Sequence, residues 1–290
     1  MKNNKIINLI RKAYDLHVHI GPEIIPRKYT VNSLLQNEAG NIAGVALKNH
    51  FYPTTPLIAK NKRTPLKLFG SIVLNNFVGG LNPDAIYAMS LLASRRCIVW
   101  FPTISANQFL KNSTWEIAPE WIKNKKIPLR KAATVSGITV TDTSAIDVLR
   151  AIKKTDSVLA TGHISWQESK LLVTQATKLG IRRVIVTHPI YQRINMPITV
   201  QKKLAAFGAF IEQSYSMFSI DGIPVSNIAR QIQEVGANNC IMTSDVGQTF
   251  SKSPSQALAA FATSLCKEGI TYKELEIMLV RNPKTIMEGR

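Results

Sequence analysis

The sequence predicts an α/β protein, a (β/α)₈ barrel, and three observations carry that expectation. Apolar, β-branched runs of strand length recur along the chain with amphipathic segments between them, the pattern of repeated βα units and a parallel sheet. The runs are nearly continuous in hydrophobicity, as in Arg183-Val184-Ile185-Val186-Thr187, which suits strands covered on both faces. The 290 residues also match one such barrel, which commonly runs to about 250 residues in a single domain.

Eight strands are expected, near residues 13–20, 42–51, 66–73, 96–102, 157–164, 182–187, 209–214 and 239–244. The helices between them carry their own punctuation. Asn82-Pro83-Asp84 and Ser253-Pro254 each set a capping side chain before a proline at the first helical position, and Gly180, Gly208, Gly236 and Gly269 fall where helices should end. No Gly/Ser linker, low-complexity tract or short repeat interrupts the chain, so residues 1–290 are expected to form one domain. One connection breaks the rhythm. More than fifty residues separate strands four and five, and the stretch 103–134 carries Trp115, Trp121 and the basic run Lys123, Lys125, Lys126, Arg130 and Lys131. A long connection leaving the C-terminal rim of a barrel is expected to be a lid or a partly structured insertion over the site.

A hydrophobic fraction of 45% belongs to a soluble globular protein, and no stretch approaches the roughly 18 uninterrupted apolar residues of a membrane span. The basic N-terminus has neither an apolar core of signal-peptide length nor a small-residue cleavage site, so a cytoplasmic protein is expected. Cys97, Cys240 and Cys266 are odd in number and far apart, which reads as three buried free thiols. The formal charge of +18 raises nucleic acid as a partner, but the Lys and Arg residues are spread over the whole chain. A solvated basic surface is the expectation, with a small molecule as the partner, no membrane and no nucleic acid. A homo-oligomer is compatible with the sequence.

The five histidines are the most informative feature, because each falls at the C-terminal end of an expected strand. Asp15-Leu16-His17-Val18-His19 ends the first, Lys48-Asn49-His50 the second, Gly162-His163 the fifth and Thr187-His188 the sixth. Residues i and i+2 of a strand share a face, so His17 and His19 look into the barrel mouth together, with Asp15 one layer deeper. Ser244-Asp245 at the end of the eighth strand adds a carboxylate beside strand one once the barrel closes. A lone histidine after a strand is more often a hydrogen-bonded rim residue than a ligand, and a lone Asp near a Gly is usually turn chemistry. Chance placement of the whole set at one rim is the poorer explanation.

Neutral imidazoles and a carboxylate around one point suit a divalent ion, zinc first and manganese or iron after it. Such an ion lowers the pKa of a water toward about 7 and polarises a substrate oxygen, while Asp245 accepts the water's proton and passes it to the leaving group. Hydrolysis is the expected reaction.

With H-x-H on strand one, histidines on strands five and six and Asp on strand eight, the chain resembles the amidohydrolase superfamily over nearly its whole length. The terminal Arg281-Asn282-Pro283 segment also looks like the closing helix of such enzymes. The resemblance implies a distorted TIM barrel, one or two divalent metals, and hydrolysis of an amide, ester, lactone or phosphoester bond. It places the metal on His17, His19, His163, His188 and Asp245. Binuclear relatives carry a carboxylated Lys or a Glu on strand four, whereas here that strand reads Cys97-Ile98-Val99-Trp100-Phe101-Pro102. One ion is therefore expected rather than two.

Lys48 is either carbamylated as a substitute bridge or a plain cation that binds an anionic substrate. His50 is expected to polarise the substrate or support a ligand. Glu212 and Tyr215, from strand seven, are expected to orient ligands or substrate. Arg27, Lys28 and Arg193 are candidates for binding a carboxylate or phosphate, though nothing in the sequence turns them inward. Three readings compete with hydrolysis of a small anionic substrate: a metal-dependent decarboxylase of the same superfamily, a metal-dependent nuclease, and a degenerate barrel that only binds a ligand.

Overall fold

A computed structural model describes residues 2–59, 64–111, 139–141 and 143–289. Its strands are β1 (Tyr14–His19), β2 (Gly44–Lys48), β3 (Lys67–Phe69), β4 (Ser71–Val73), β5 (Ile98–Trp100), β6 (Val158–Ala160), β7 (Val184–Val186), β8 (Phe210–Ser214) and β9 (Cys240–Thr243). Every pair is parallel, in the orders β1-β2-β3 and β4-β5-β6-β7-β8-β9. The strands β3 and β4 are the two halves of the third expected strand, parted at Gly70. A Cβ at Gly70 would stand 2.4 Å from the Thr55 side chain, so the backbone there is in close approach to the neighbouring segment.

The sheet closes between β1 and the chain just after β9. Val18 and Val246 form a parallel bridge, the His19 N–H donates to the Val246 carbonyl at 2.8 Å, and the Asp245 N–H donates to the His17 carbonyl at 2.9 Å. The eight staves are thus those the sequence implies, in an α/β barrel. The strands are shorter than expected, because the ladder stops where the chain turns outward into the rim loops. His50, His163 and His188 consequently sit in loops just past β2, β6 and β7, not on the strands themselves. A register shift between Asp15 and Val18 marks β1 as irregular at its functional end.

Alternation along the strands sorts the core into two layers. Leu16, Phe69, Val73, Ile98, Trp100, Val158, Ala160, Ile185 and Ile241 form one cluster, joined by Ile286 and Met287 from the last helix. Their chain neighbours Val45, Leu47, Val99, Leu159, Val184, Val186 and Met242 belong to the larger cluster shared with the surrounding helices. Each fully buried Leu, Ile, Phe or Met contributes roughly 1.5–3 kcal/mol relative to exposure, so the layers hold the rim loops on a stiff base.

Helix ends follow their sequence signals. Asn82 accepts from the Asp84 N–H ahead of the helix Pro83–Leu91, and Ser253 and Gln256 form a capping box at Pro254–Lys267. Gly180, Gly208, Gly236 and Gly269 all take positive φ where a helix ends. Cys97 and Cys240 are buried free thiols as expected, whereas Cys266 is exposed near the end of a surface helix, on the face that amphipathic packing leaves in water. Of the expected insertion, Asn107–Lys111 is helical, while residues 112–134, with both tryptophans and the basic run, lie outside the described residues. Among the described residues no helix is long and apolar enough to cross a membrane.

Candidate metal centre

The site begins with three side chains on and beside β1. His17 Nε2 and His19 Nε2 lie 2.9 and 3.1 Å from the same atom, Asp245 Oδ1. Ligand atoms of these three residues all fall within 4.8 Å of one another, and all three residues are buried. The strand is held from below by Asp15, whose Oδ1 accepts from the backbone N–H of His17 at 3.2 Å and of Ser244 at 3.0 Å. Asp15 thus ties β1 to the end of β9 and fixes the distance between the H-x-H pair and Asp245.

Asp245 adopts φ 52°, a left-handed conformation that Asp tolerates better than most residues but that still costs energy. The next turn is equally constrained. Gly247 has φ 148°, and a Cβ there would come within 2.4 Å of the His19 carbonyl oxygen. Ser216 completes the carboxylate's setting by donating to Asp245 Oδ2 at 2.6 Å.

The imidazoles are oriented by groups around them. Glu212 Oε1 takes the Nδ1 edge of His17 at 2.9 Å and also accepts from Thr243 Oγ1 at 2.8 Å, while Glu212 Oε2 accepts from the His188 N–H at 3.0 Å. One fully buried carboxylate therefore leaves His17 Nε2 for the mouth and fixes the start of the loop that carries His188. His17 and His188 stack with centroids 5.9 Å apart, and His163 lies 5.0 Å from His188. His163 is delivered by Gly162 at φ 65°, where a Cβ would meet the Phe101 carbonyl at 2.2 Å. His50 sits 4.7 Å from the His19 ring and shares a hydrogen bond of 2.9 Å with Thr103 through Nδ1.

Lys48 ends β2 with its ammonium 2.9 Å from His17 Nε2 and 4.4 Å above the Trp100 ring. Trp100 ends β5, and its ring lies 4.5 Å from that of His17.

Electrostatics follow from burial and neighbours. Burial depresses His188 to about 4 and drives His19, His50 and His163 well below the ordinary imidazole value, with Arg27, His19 and His188 respectively the next influence. These rings are neutral near pH 7, the form that coordinates metal. Burial opposes ionisation of Asp245, but His17 and His19 outweigh it and hold its carboxyl well below the usual range. For His17 burial is outweighed by Asp245 and Glu212, against Lys48, and its pKa is raised. Burial lowers Lys48 to about 8.

Whether a metal suits this cluster can be judged from its atoms. His19, His163 and His188 each have a buried Nδ1 with no hydrogen-bond partner. Buried polar atoms are normally paired, and the unpaired Nδ1 atoms of His163 and His188, in rings packed on one another and, for His188, on His17, add unused donors to the His17 Nε2, His19 Nε2 and Asp245 Oδ1 atoms that already meet, a set that a cation would complete. The residues fit a borderline divalent ion.

Above the cluster opens a cavity of about 410 Å³ whose lining includes His19, His50, His163, His188, Asp245 and Arg27. Of the residues singled out in the sequence, His17, His19 and Asp245 form the tight group, and His163, His188 and His50 surround it. Two expectations shift. Glu212 bonds to His17 and is not among the residues lining the cavity, which favours the ligand-orienting one of its two expected roles. Tyr215 starts the helix Tyr215–Ser219, and its ring packs on Phe218 and Phe261, because the chain leaves strand geometry after Ser214 and the side chain turns into the core. Ser216, Thr243 and Trp100 were not singled out; single Ser, Thr and Trp residues in apolar runs carry no signal in one sequence.

Among solved structures, an amidohydrolase from Pseudomonas aeruginosa matches at 10% identity and a TM-score of 0.63, covering 97% of each chain. A phosphotriesterase homology protein from Escherichia coli, with phosphate in its active site, matches at 12% identity and a TM-score of 0.56, covering 95% of this chain and 98% of that one. A 2,6-dihydroxybenzoate decarboxylase from Rhizobium matches at 9% identity and a TM-score of 0.53, covering 94% and 98%. At these identities the likeness is one of fold, and it is the fold that the resemblance to the amidohydrolase superfamily implies. No curated protein matches the chain. Residues 12–212 match the Family of unknown function (DUF6282), a span that carries β1 to β7, the first residues of β8 and every site residue from Asp15 to Glu212, and the chain belongs to that family.

Proposed function

We propose that the protein is a metal-dependent hydrolase that cleaves an amide, ester, lactone or phosphoester bond in a small anionic substrate. The observation that carries this reading is the convergence of His17, His19 and Asp245 within 4.8 Å, with His19 and Asp245 lining the cavity. His163 and His188 stand beside them and complete the proposed ligand set, with zinc the first candidate and one ion preferred to two. A bound divalent ion would supply Lewis acidity to the substrate oxygen and make water a better nucleophile.

The chain's own groups do the rest. Asp245, held ionised, accepts the proton shed by the attacking water and delivers it to the leaving group. Glu212 keeps the His17 Nε2 lone pair turned to the mouth. Lys48 brings positive charge under the reacting bond, and His50, tied to Thr103 through Nδ1, leaves Nε2 to polarise the substrate. The limited volume of the cavity favours a small molecule, and the dispersed basic charge favours it over nucleic acid.

Metal content and thermal stability test the proposal. About one equivalent of zinc or manganese is expected after purification from supplemented medium. Ion at one hundred times its Kd should stabilise the fold by about 2.7 kcal/mol. Absence of metal together with no thermal response to added ion would defeat the reading. A decarboxylase is the second reading, supported by the fold shared with the Rhizobium enzyme; release of CO₂ from aromatic or keto acids, with no ester or lactone hydrolysis, would select it.

A further inference from the structure

We propose that Arg27 is the specificity residue of this site, holding a carboxylate of the substrate, and that the rest of the cavity takes an apolar body attached to that carboxylate. The proposal rests on the hydrolase reading for the reacting bond, but the recognition itself depends only on residues that the metal does not touch.

Arg27 lines the cavity together with His19, His50 and Asp245. Its side chain is 4% exposed and its partner Glu23 is 0% exposed. Arg27 Nε donates to Glu23 Oε2 at 2.7 Å and Nη2 to Oε1 at 3.3 Å. That side-on pairing uses the Nε edge of the fork and leaves Nη1 and one Nη2 hydrogen for a second acceptor. A carboxylate is the planar, two-oxygen group that fits such an edge.

The arginine is also pre-positioned. Residue 27 bridges Gln248 in antiparallel fashion, the Lys28 N–H donates to the Gly247 carbonyl at 2.8 Å, and the Gly21 N–H donates to the Tyr29 carbonyl at 2.8 Å. The loop after β1 is therefore stitched both to itself and to the loop after β9. Glu23 contributes a second function by accepting from the His50 N–H at 3.4 Å, which links the anion anchor to the site histidines. The Arg27 charge reaches into the centre, where it is the largest influence after burial in keeping His19 neutral. A substrate carboxylate on Arg27 thus lies beside the reacting groups.

The remaining lining is mostly apolar, with Ser216, Asp221 and Gln248 as its polar members. Ile25, Tyr191, Met217, Ile220 and Phe250 line the cavity, from the loops after β1, β7, β8 and β9. A fully polar metabolite would leave this surface unpaired with anything apolar. A molecule with one carboxylate and an aryl or alkyl body satisfies both parts.

Calorimetric titration of the full chain with phenylacetate, acetate and benzyl alcohol tests this, in chelator-treated and in zinc-loaded protein. In the chelator-treated wild type, phenylacetate should bind at least about tenfold tighter than either of the other probes. In Arg27→Met the advantage over benzyl alcohol should fall below about threefold, with benzyl alcohol itself unchanged. Because Arg27→Met leaves Glu23 buried without its partner, the double variant Glu23→Gln with Arg27→Met is measured beside it, and circular dichroism checks the fold of each. Equal binding of phenylacetate and benzyl alcohol to the wild type overturns the proposal. So does an advantage that survives in both variants, or one that exists only after zinc is loaded; in that last case the metal holds the carboxylate and the hydrolase reading stands alone. An Arg27-dependent preference in a protein that takes up no metal would leave this assignment standing and remove the hydrolase reading.

Discussion

The two ends of the barrel are built to opposite rules. At the N-terminal end, polar groups are paired with one another. Tyr14 and Lys67 both meet Glu288, at 2.8 and 2.6 Å. Arg96 donates to the carbonyls of Ile286 and Met287 at 3.2 and 2.6 Å and to Asp156 at 2.5 Å, while Arg183 meets the other Asp156 oxygen. Asn282 Nδ2 reaches the carbonyls of Ala237, Asn238 and Cys240 at 3.1, 3.0 and 2.7 Å. At the C-terminal end, by contrast, buried Nδ1 atoms of His19, His163 and His188 have no partner. The N-terminal end fastens the last helix to the barrel and contributes stability. The C-terminal end tolerates unpaired groups and a left-handed Asp245, a cost that makes sense where a ligand is to be bound.

Substitutions at the two ends should therefore fail in different ways. Asp245→Ala is expected to abolish stoichiometric metal binding and hydrolysis while leaving the thermal midpoint of the chelator-treated protein unchanged or higher, since sites of this kind trade stability for function. Elemental analysis and a thermal melt check it, and a melt lowered as far as by a change at the opposite end would break the contrast. Glu212→Gln should weaken metal binding by about 10–100-fold through loss of His17 orientation, measured by competition with a chelator. Arg96→Ala should cost about 1–3 kcal/mol, a fall of a few degrees in the melt, with metal content intact. Lys67→Met should cost less than about 1 kcal/mol, because that pair is partly in water and screened.

Legibility in the sequence divided along similar lines. The H-x-H pair and Asp245 could be found from one chain because strand periodicity and the closure of a barrel bring their positions together. The same reasoning placed His163 and His188 at the rim but could not give their distances, which depend on loops beyond β6 and β7. Periodicity failed at Tyr215, which follows directly on the expected and observed strand end at Ser214 but begins a helix, so its side chain does not continue the strand's alternation. It was silent on Arg27, whose inward turn depends on Glu23 and on the pairing of its loop with Gly247 and Gln248.

What the sequence alone determined is the order of staves and the rim at which the histidines lie, because hydrophobic period and chain direction are local properties. Which atoms converge was decided only in three dimensions. Asp15 reaching across to Ser244, Glu212 reaching His17, and Ser216 reaching Asp245 are contacts between segments far apart in the chain, and their geometry is set by how the whole barrel packs, a property that no short stretch of residues encodes.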